Sequence, residues 1–203
     1  HNGRHSFPTR RSSDLDPLRL PLHGDYRLNP TDIETRLLER ARPAAVLIAA
    51  CAREGQAALI LTERTPHLRA HSGQVAFPGG KIDPEDDGPV GAALREAEEE
   101  IGLDRAALDV IGHLDPYIST SGYRIAPVVA IAQEPFAYTI NEQEVARVFE
   151  APLSFLMNAD NHRRRSRPYE GRERFYYEMP WNGHHIWGVT AGIIRLLQER
   201  LYA

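Results

Sequence analysis

The run ALREAEEEIG, Ala93 to Gly102, constrains this chain more than any other segment. Glu96, Glu99 and Glu100 are spaced by three and four positions, so on a helix they share one face. Ala93, Leu94, Ala97 and Ile101 fall on the opposite side. Such a helix must lay its apolar face on a sheet and turn its anionic face toward something else. Like charges at these spacings cost a few tenths of a kcal/mol per pair in solvent, and more in a cleft, where desolvation raises carboxylate pKa values. A hard divalent cation reverses that balance, because magnesium is usually held by a few carboxylates, waters and substrate phosphates. The competing reading is a solvated charged face. Arg95 is placed to pair with Glu99 or with a loop carboxylate and so fix the helix rotation. Glu98, off the face, reads as a solvated neighbour.

Just upstream lies FPGG, Phe77 to Gly80. Gly79 and Gly80 permit positive φ or close backbone approach, and Pro78 stiffens the entry. Amides in such a turn can hold a diphosphate oxygen or orient the carboxylate helix.

The rest of the chain supplies a frame for this pair. AAVLIAAC (44–51) reads as a buried strand, EGQ as a turn, and AALILTER (57–64) as a second strand. Residues 65–80 carry too many Gly, Pro and His for a regular element and read as a functional loop. A helix is expected over 90–101, ended by Gly102. Strands are expected over 110–114 and 125–132, the latter central. A short helix is expected over 141–147, with another starting at 152–156. Strands at 175–178 and 186–188 should flank a turn at Asn182 and Gly183, and 190–201 is an amphipathic helix. Asn29 or Thr31 would cap a helix over 33–41, and 16–28 should run along the surface. Strands with interspersed helices and a terminal helix predict an α/β fold, with layers of helix packed on a mixed sheet. Residues 1–15, polar and without periodicity, read as a non-native leader or a disordered tail, leaving 16–203 as one domain.

The formal net charge of -4 argues against a general nucleic-acid binder. Cys51 is the sole cysteine, which makes the reducing cytoplasm the expected compartment. No apolar stretch reaches membrane-spanning length. Tyr117, Tyr123, Trp181 and Trp187 suit an interface, the core or a ligand cleft, so monomer and homodimer both stay open.

FPGGKIDPEDDGPVGAALREAEEEIGL resembles the signature of the Nudix hydrolases, which cleave nucleoside diphosphates linked to another group. The matching positions are Gly80, Arg95, Glu96, Ala97, Glu99, Glu100, Gly102 and Leu103. The gap from Gly80 to Arg95 is one residue longer than the general pattern, and Asp86 and Asp87 stand where a glutamate is expected. ILTERTPHLRAHSGQVAFPGG (60–80) further resembles the extra motif of the coenzyme A pyrophosphatase branch, through Leu61, Thr62, Arg64, Arg69, Gly73 and Phe77 to Gly80. The likeness extends over roughly 44–201.

The resemblance implies a Nudix-like α/β/α sandwich with a central mixed β-sheet and a catalytic loop-helix-loop, and hydrolysis of the diphosphate of coenzyme A or acyl-CoA, giving 3′,5′-ADP and (acyl-)4′-phosphopantetheine. Glu96, Glu99 and Glu100 would hold Mg2+ or Mn2+. The water's proton would go to Glu99, or to Glu144 or Glu142 from outside the signature. Arg64 and Arg69 suit charge-assisted bonds to phosphate, with Gly79 and Gly80 shaping the loop; pairing with an acidic neighbour is the other reading of Arg64. His67 and His71 read as phosphate contacts or ordinary loop histidines. Arg163, Arg164, Arg165 and Arg167 read foremost as a solvated basic loop, or as partners of the ribose 3′-phosphate. The neighbouring alternatives are ADP-ribose, NADH and oxidised nucleotides as substrates, or a nucleotide-binding module without catalysis.

Overall fold

The computed structural model describes residues 23–29, 40–66 and 73–202. The chain forms β1 (His23–Gly24), β2 (Arg42–Arg53), β3 (Gln56–Arg64), β4 (Val75–Ala76) and β5 (Gly79–Lys81) before the helix α1 (Gly88–Ile101). Then follow β6 (Leu108–His113), β7 (Tyr117–Ser119), β8 (Tyr123–Ala132), β9 (Val145–Pro152) and the short α2 (Leu153–Leu156). The strands β10 (Arg163–Tyr169), β11 (Arg172–Trp181) and β12 (His184–Trp187) precede the helix α3 (Gly188–Tyr202).

The run 44–51 becomes the centre of the main sheet because alternate residues feed different cores. Ala44 and Ile48 face one cluster with Ile193, Leu196 and Leu197 of α3. Ala45, Leu47, Ala49 and Cys51 face the other, with Ala92, Ala93, Ala97 and Ile101 of α1. A strand buried on both faces needs this unbroken apolar character. β2 pairs parallel to β8 and antiparallel to β3 and β5, so the sheet is mixed. Helices on both faces complete the expected α/β sandwich. Glu54 and Gly55, at φ 48° and 79°, make the tight turn between β2 and β3. Gly102, at φ 66°, ends α1 in the left-handed conformation.

Three expectations are corrected. Residues 141–147 do not form a helix. Asn141 to Glu144 make a turn, and the chain then enters β9, paired with β3 from Ala58↔Pro152 to Arg64↔Val145. Pairing along the whole edge of β3 outweighs the helix-forming residues of NEQEVAR. The arginines at 163–167 are not a loop: they belong to β10, antiparallel to β11 in a separate three-stranded sheet. Within 65–80, the described part carries two short strands, β4 on β3 and β5 on β2. The turn-rich reading of 16–28 holds in part, since 23–24 pairs with β7 and 25–27 is one helical turn. Residues 1–15, most of the helix expected over 33–41, and His67, Arg69 and His71 lie outside the described residues.

Candidate active site

A cleft of about 740 Å3 runs between the C-terminal part of α1, the start of β5, the end of β3 and the face of the second sheet. Arg64, Gly79, Gly80, Glu96, Glu100 and Glu144 line one end. Apart from Arg69, the expected site residues absent from this lining are Arg95 and Glu99.

Glu100 is the most constrained of these groups. It is 2% exposed; its Oε2 accepts the Gly79 N–H at 3.2 Å, and the Arg64 guanidinium stands 3.5 Å from Oε1. Burial pushes its pKa up to about 7, with Gly79 and Arg64 opposing the rise and Glu96 and Glu144 adding to it. Glu96 is also raised, by burial first, and Glu99 and Glu144 contribute by repulsion while Arg95 opposes. Carboxylates from α1 and from the turn before β9 therefore share one field.

Thr65 explains how Glu144 arrives there. Its N–H donates to the Glu144 carbonyl at 3.0 Å and its hydroxyl to the Gln143 carbonyl at 3.1 Å. The end of β3, which carries Arg64, thus holds the turn that carries Glu144. Arg64 sits at a register shift in the β3–β9 pairing, and its Nε is buried without a hydrogen-bond partner. A buried donor left unmade is costly, and the residue that carries it lines the cleft.

Gly79 and Gly80 both stand at close approaches. A Cβ on Gly79 would meet the Ala45 carbonyl oxygen and come within 2.7 Å of Val46 Cα. One on Gly80 would run into the Glu96 carboxylate, 2.6 Å from its Cδ. The Gly79 amide is spent on Glu100, so the turn orients the helix carboxylate.

Arg95 fixes α1 against the loop before it. Its guanidinium takes Asp86 at 2.8 and 3.0 Å, Glu96 and Glu99 each at 3.1 Å, and the Lys81 carbonyl at 3.2 Å. Asp86 is the early acidic residue that the signature left open between two aspartates, and this fork identifies its partner. Glu99, with its side chain 57% exposed, faces Arg95 and not the cleft. Glu98 pairs with Arg105 at 3.0 Å on the surface, and Glu142 is exposed.

The donor chemistry fits a hard cation: buried carboxylate oxygens whose mutual repulsion an ion would relieve. Among the described residues, however, no three His, Cys, Asp or Glu side chains already converge at ligand spacing. Glu96, Glu99 and Glu100 are not gathered as a triad, because Arg95 draws Glu99 outward.

At the far end of the cleft, sequence reasoning reached Arg167 only as a second option behind a solvated loop and Trp187 as one option of three, and it missed Asp25, Thr120 and Arg174. These five residues line that end from four separate parts of the chain. Asp25 accepts from Tyr117 Oη at 2.7 Å, from the Thr120 N–H and hydroxyl at 3.0 Å, and from Arg174 at 3.5 Å. No motif signals it.

Fold and site together define an α/β sandwich in which a carboxylate helix faces a cleft shared with Arg64 and Glu144. A model of the NUDIX domain matches residues 41–169. The chain is 43% identical over 156 residues to the uncharacterized Nudix hydrolase NudL of Escherichia coli O7:K1, covering 77% of this chain and 81% of that protein. It is 44% identical over 160 residues to the corresponding NudL of Escherichia fergusonii, with the same coverage. The chain belongs to the Nudix hydrolase family. Among solved structures it is similar to the Nudix hydrolase RenU of M. smegmatis, with a TM-score of 0.54 and 23% identity over 79% of this chain and 86% of that one, a likeness of fold. No helix among the described residues is long and apolar enough to cross a membrane.

Proposed function

We propose that this Nudix hydrolase cleaves the diphosphate linkage of coenzyme A and its acyl derivatives with the help of Mg2+ or Mn2+. The observation that carries the hydrolytic reading is the buried Glu100, set by Gly79 and Arg64 and facing Glu96 and Glu144 across one cleft. The choice of coenzyme A rests on the likeness of 60–80, with Arg64 at its start, to the motif of that branch.

Glu96 and Glu100 would hold the cation, with Glu99 available only after leaving Arg95. When bound, the cation neutralises diphosphate charge and lowers the pKa of water. Arg64 offers its guanidinium to a phosphate oxygen. Glu144, from the turn before β9, is the base we favour for the proton of the attacking water, ahead of Glu99. Arg95 holds the rotation of α1 through Asp86.

Product analysis after incubation of coenzyme A with Mg2+, beside a chelated control, tests the reading. The expected products are 3′,5′-ADP and 4′-phosphopantetheine. A higher kcat/KM for ADP-ribose, NADH or an oxidised nucleoside triphosphate in the same panel overturns the substrate and keeps the hydrolase. Glu144→Gln should lose about a hundredfold in kcat or more. Wild-type turnover in that variant would return the role of base to Glu99.

A further inference from the structure

The far wall of the cleft carries an unusual pair. Arg167 of β10 and Arg174 of β11 are register partners, directly opposite each other on antiparallel strands, and both line the cleft. Like charges so placed destabilise a sheet. Their neutralisation is incomplete. Arg174 reaches Asp25 only at 3.5 Å, and Asp25 already accepts from Thr120 and Tyr117. Arg167 makes no ion pair among the described residues; it stacks on Trp187, 4.9 Å from the ring centroid.

Both guanidiniums are nevertheless held in place. Arg174 lies over Tyr169 at 5.2 Å, and Trp187 is braced edge-on by Tyr176 at 5.5 Å. Planar cations stacked on aromatic rings keep their edges free for an anion. Arg174 and Trp187 lie beyond residues 41–169, the part that the NUDIX domain model matches. They add to the shared core a recognition wall opposite the carboxylates.

We infer that Arg167 and Arg174 form a second anion subsite, which takes a phosphomonoester on the substrate remote from the scissile diphosphate. This deepens the proposed function and rests on it for the substrate: coenzyme A carries such a group on its ribose. Two guanidiniums can bind a dianionic phosphate from adjacent strands, while the carboxylate end, which repels phosphate without a cation, orients the molecule along the cleft.

The test is calorimetric titration of the full chain with 3′,5′-ADP and with AMP, which differ by that one phosphate. The expected result is 3′,5′-ADP binding about ten- to a hundredfold tighter than AMP. Arg167→Ala should remove most of the difference. Arg174→Lys, which keeps the charge and the fold but not the fork, should reduce it in part. Equal binding of the two nucleotides by the wild type, or an undiminished difference in both variants, overturns the subsite. The readout does not depend on turnover. Failure to cleave coenzyme A with the preference intact would therefore refute the substrate and leave the subsite standing.

Discussion

Glu100 shows how much one carboxyl can report. Free of the fold it titrates near 4.5, and in the folded chain burial pushes it up to about 7. Between those values the folded chain keeps a proton that the unfolded chain has released. Its stabilising effect is therefore complete below about 4.5 and is lost as pH rises through about 7. With chelator present, urea unfolding should show stability falling by on the order of 2–3 kcal/mol between pH 5 and pH 8. Glu100→Gln keeps an acceptor for the Gly79 N–H and removes the charge. It should flatten that fall and make the variant more stable than the wild type at pH 8. An unchanged pH profile in the variant would mean that Glu100 is not the titrating group. The residue itself was legible in the sequence, because its partners Gly79 and Glu96 lie in the same continuous segment. Its pairing with Arg64 was legible only as one of two options. Glu144 was a rival to Glu99 with nothing to rank them, since the hydrogen bonds of Thr65 that bring it to the cleft are invisible before β3 and β9 meet.

At the scale of elements, β5 is wedged between β2 and α1, and its two glycines answer to different neighbours. A methyl on Gly79 meets backbone atoms of Ala45 and Val46, which a central strand cannot move. Gly79→Ala should cost about 1–3 kcal/mol of stability, in the range of overpacked cores. A methyl on Gly80 meets the Glu96 carboxylate, the far end of a flexible side chain. Gly80→Ala should keep most of its stability and lose turnover, because Glu96 swings out of the cleft. Melting temperatures and kcat measured side by side check the contrast, and similar losses of both in both variants would refute it. The helix α1 was readable from its own sequence for the same local reason: apolar face, charged face and terminal glycine all lie within one stretch. The segment 141–147 was not. NEQEVAR has the composition of a helix, but β3 offers a free edge over its full length, and strand pairing along an edge is decided by tertiary context. The arginines of β10 failed likewise, since a strand exposed along its entire length shows no alternation to read.

The molecule as a whole closes its cleft by joining pieces that no local pattern connects. Asp25, with its side chain 14% exposed, ties the segment before β2 to Tyr117 and Thr120 near β7 and to Arg174 on β11. Asn29 repeats the tie with the backbone of Phe175, donating at 2.9 Å and accepting at 2.8 Å. The three-stranded sheet thus sits over the main sheet through polar bonds as well as through the packing of Met179 and Ile186. Asp25→Ala would strand the hydroxyl of the buried Tyr117 and release Arg174, and should lower stability by about 3 kcal/mol in denaturant unfolding. Asp25→Asn keeps an acceptor for Thr120 and should recover part of that loss. The carboxylate end of the cleft stands on β3, β5, α1 and the turn before β9, none of which bonds to Asp25. In both variants the rise in melting temperature on adding Mn2+ should therefore match the wild type, while the affinity for 3′,5′-ADP falls. If Asp25→Asn lost the Mn2+ response as well, the two ends of the cleft would be one cooperative unit, with the second sheet supporting the carboxylates as well as the far wall.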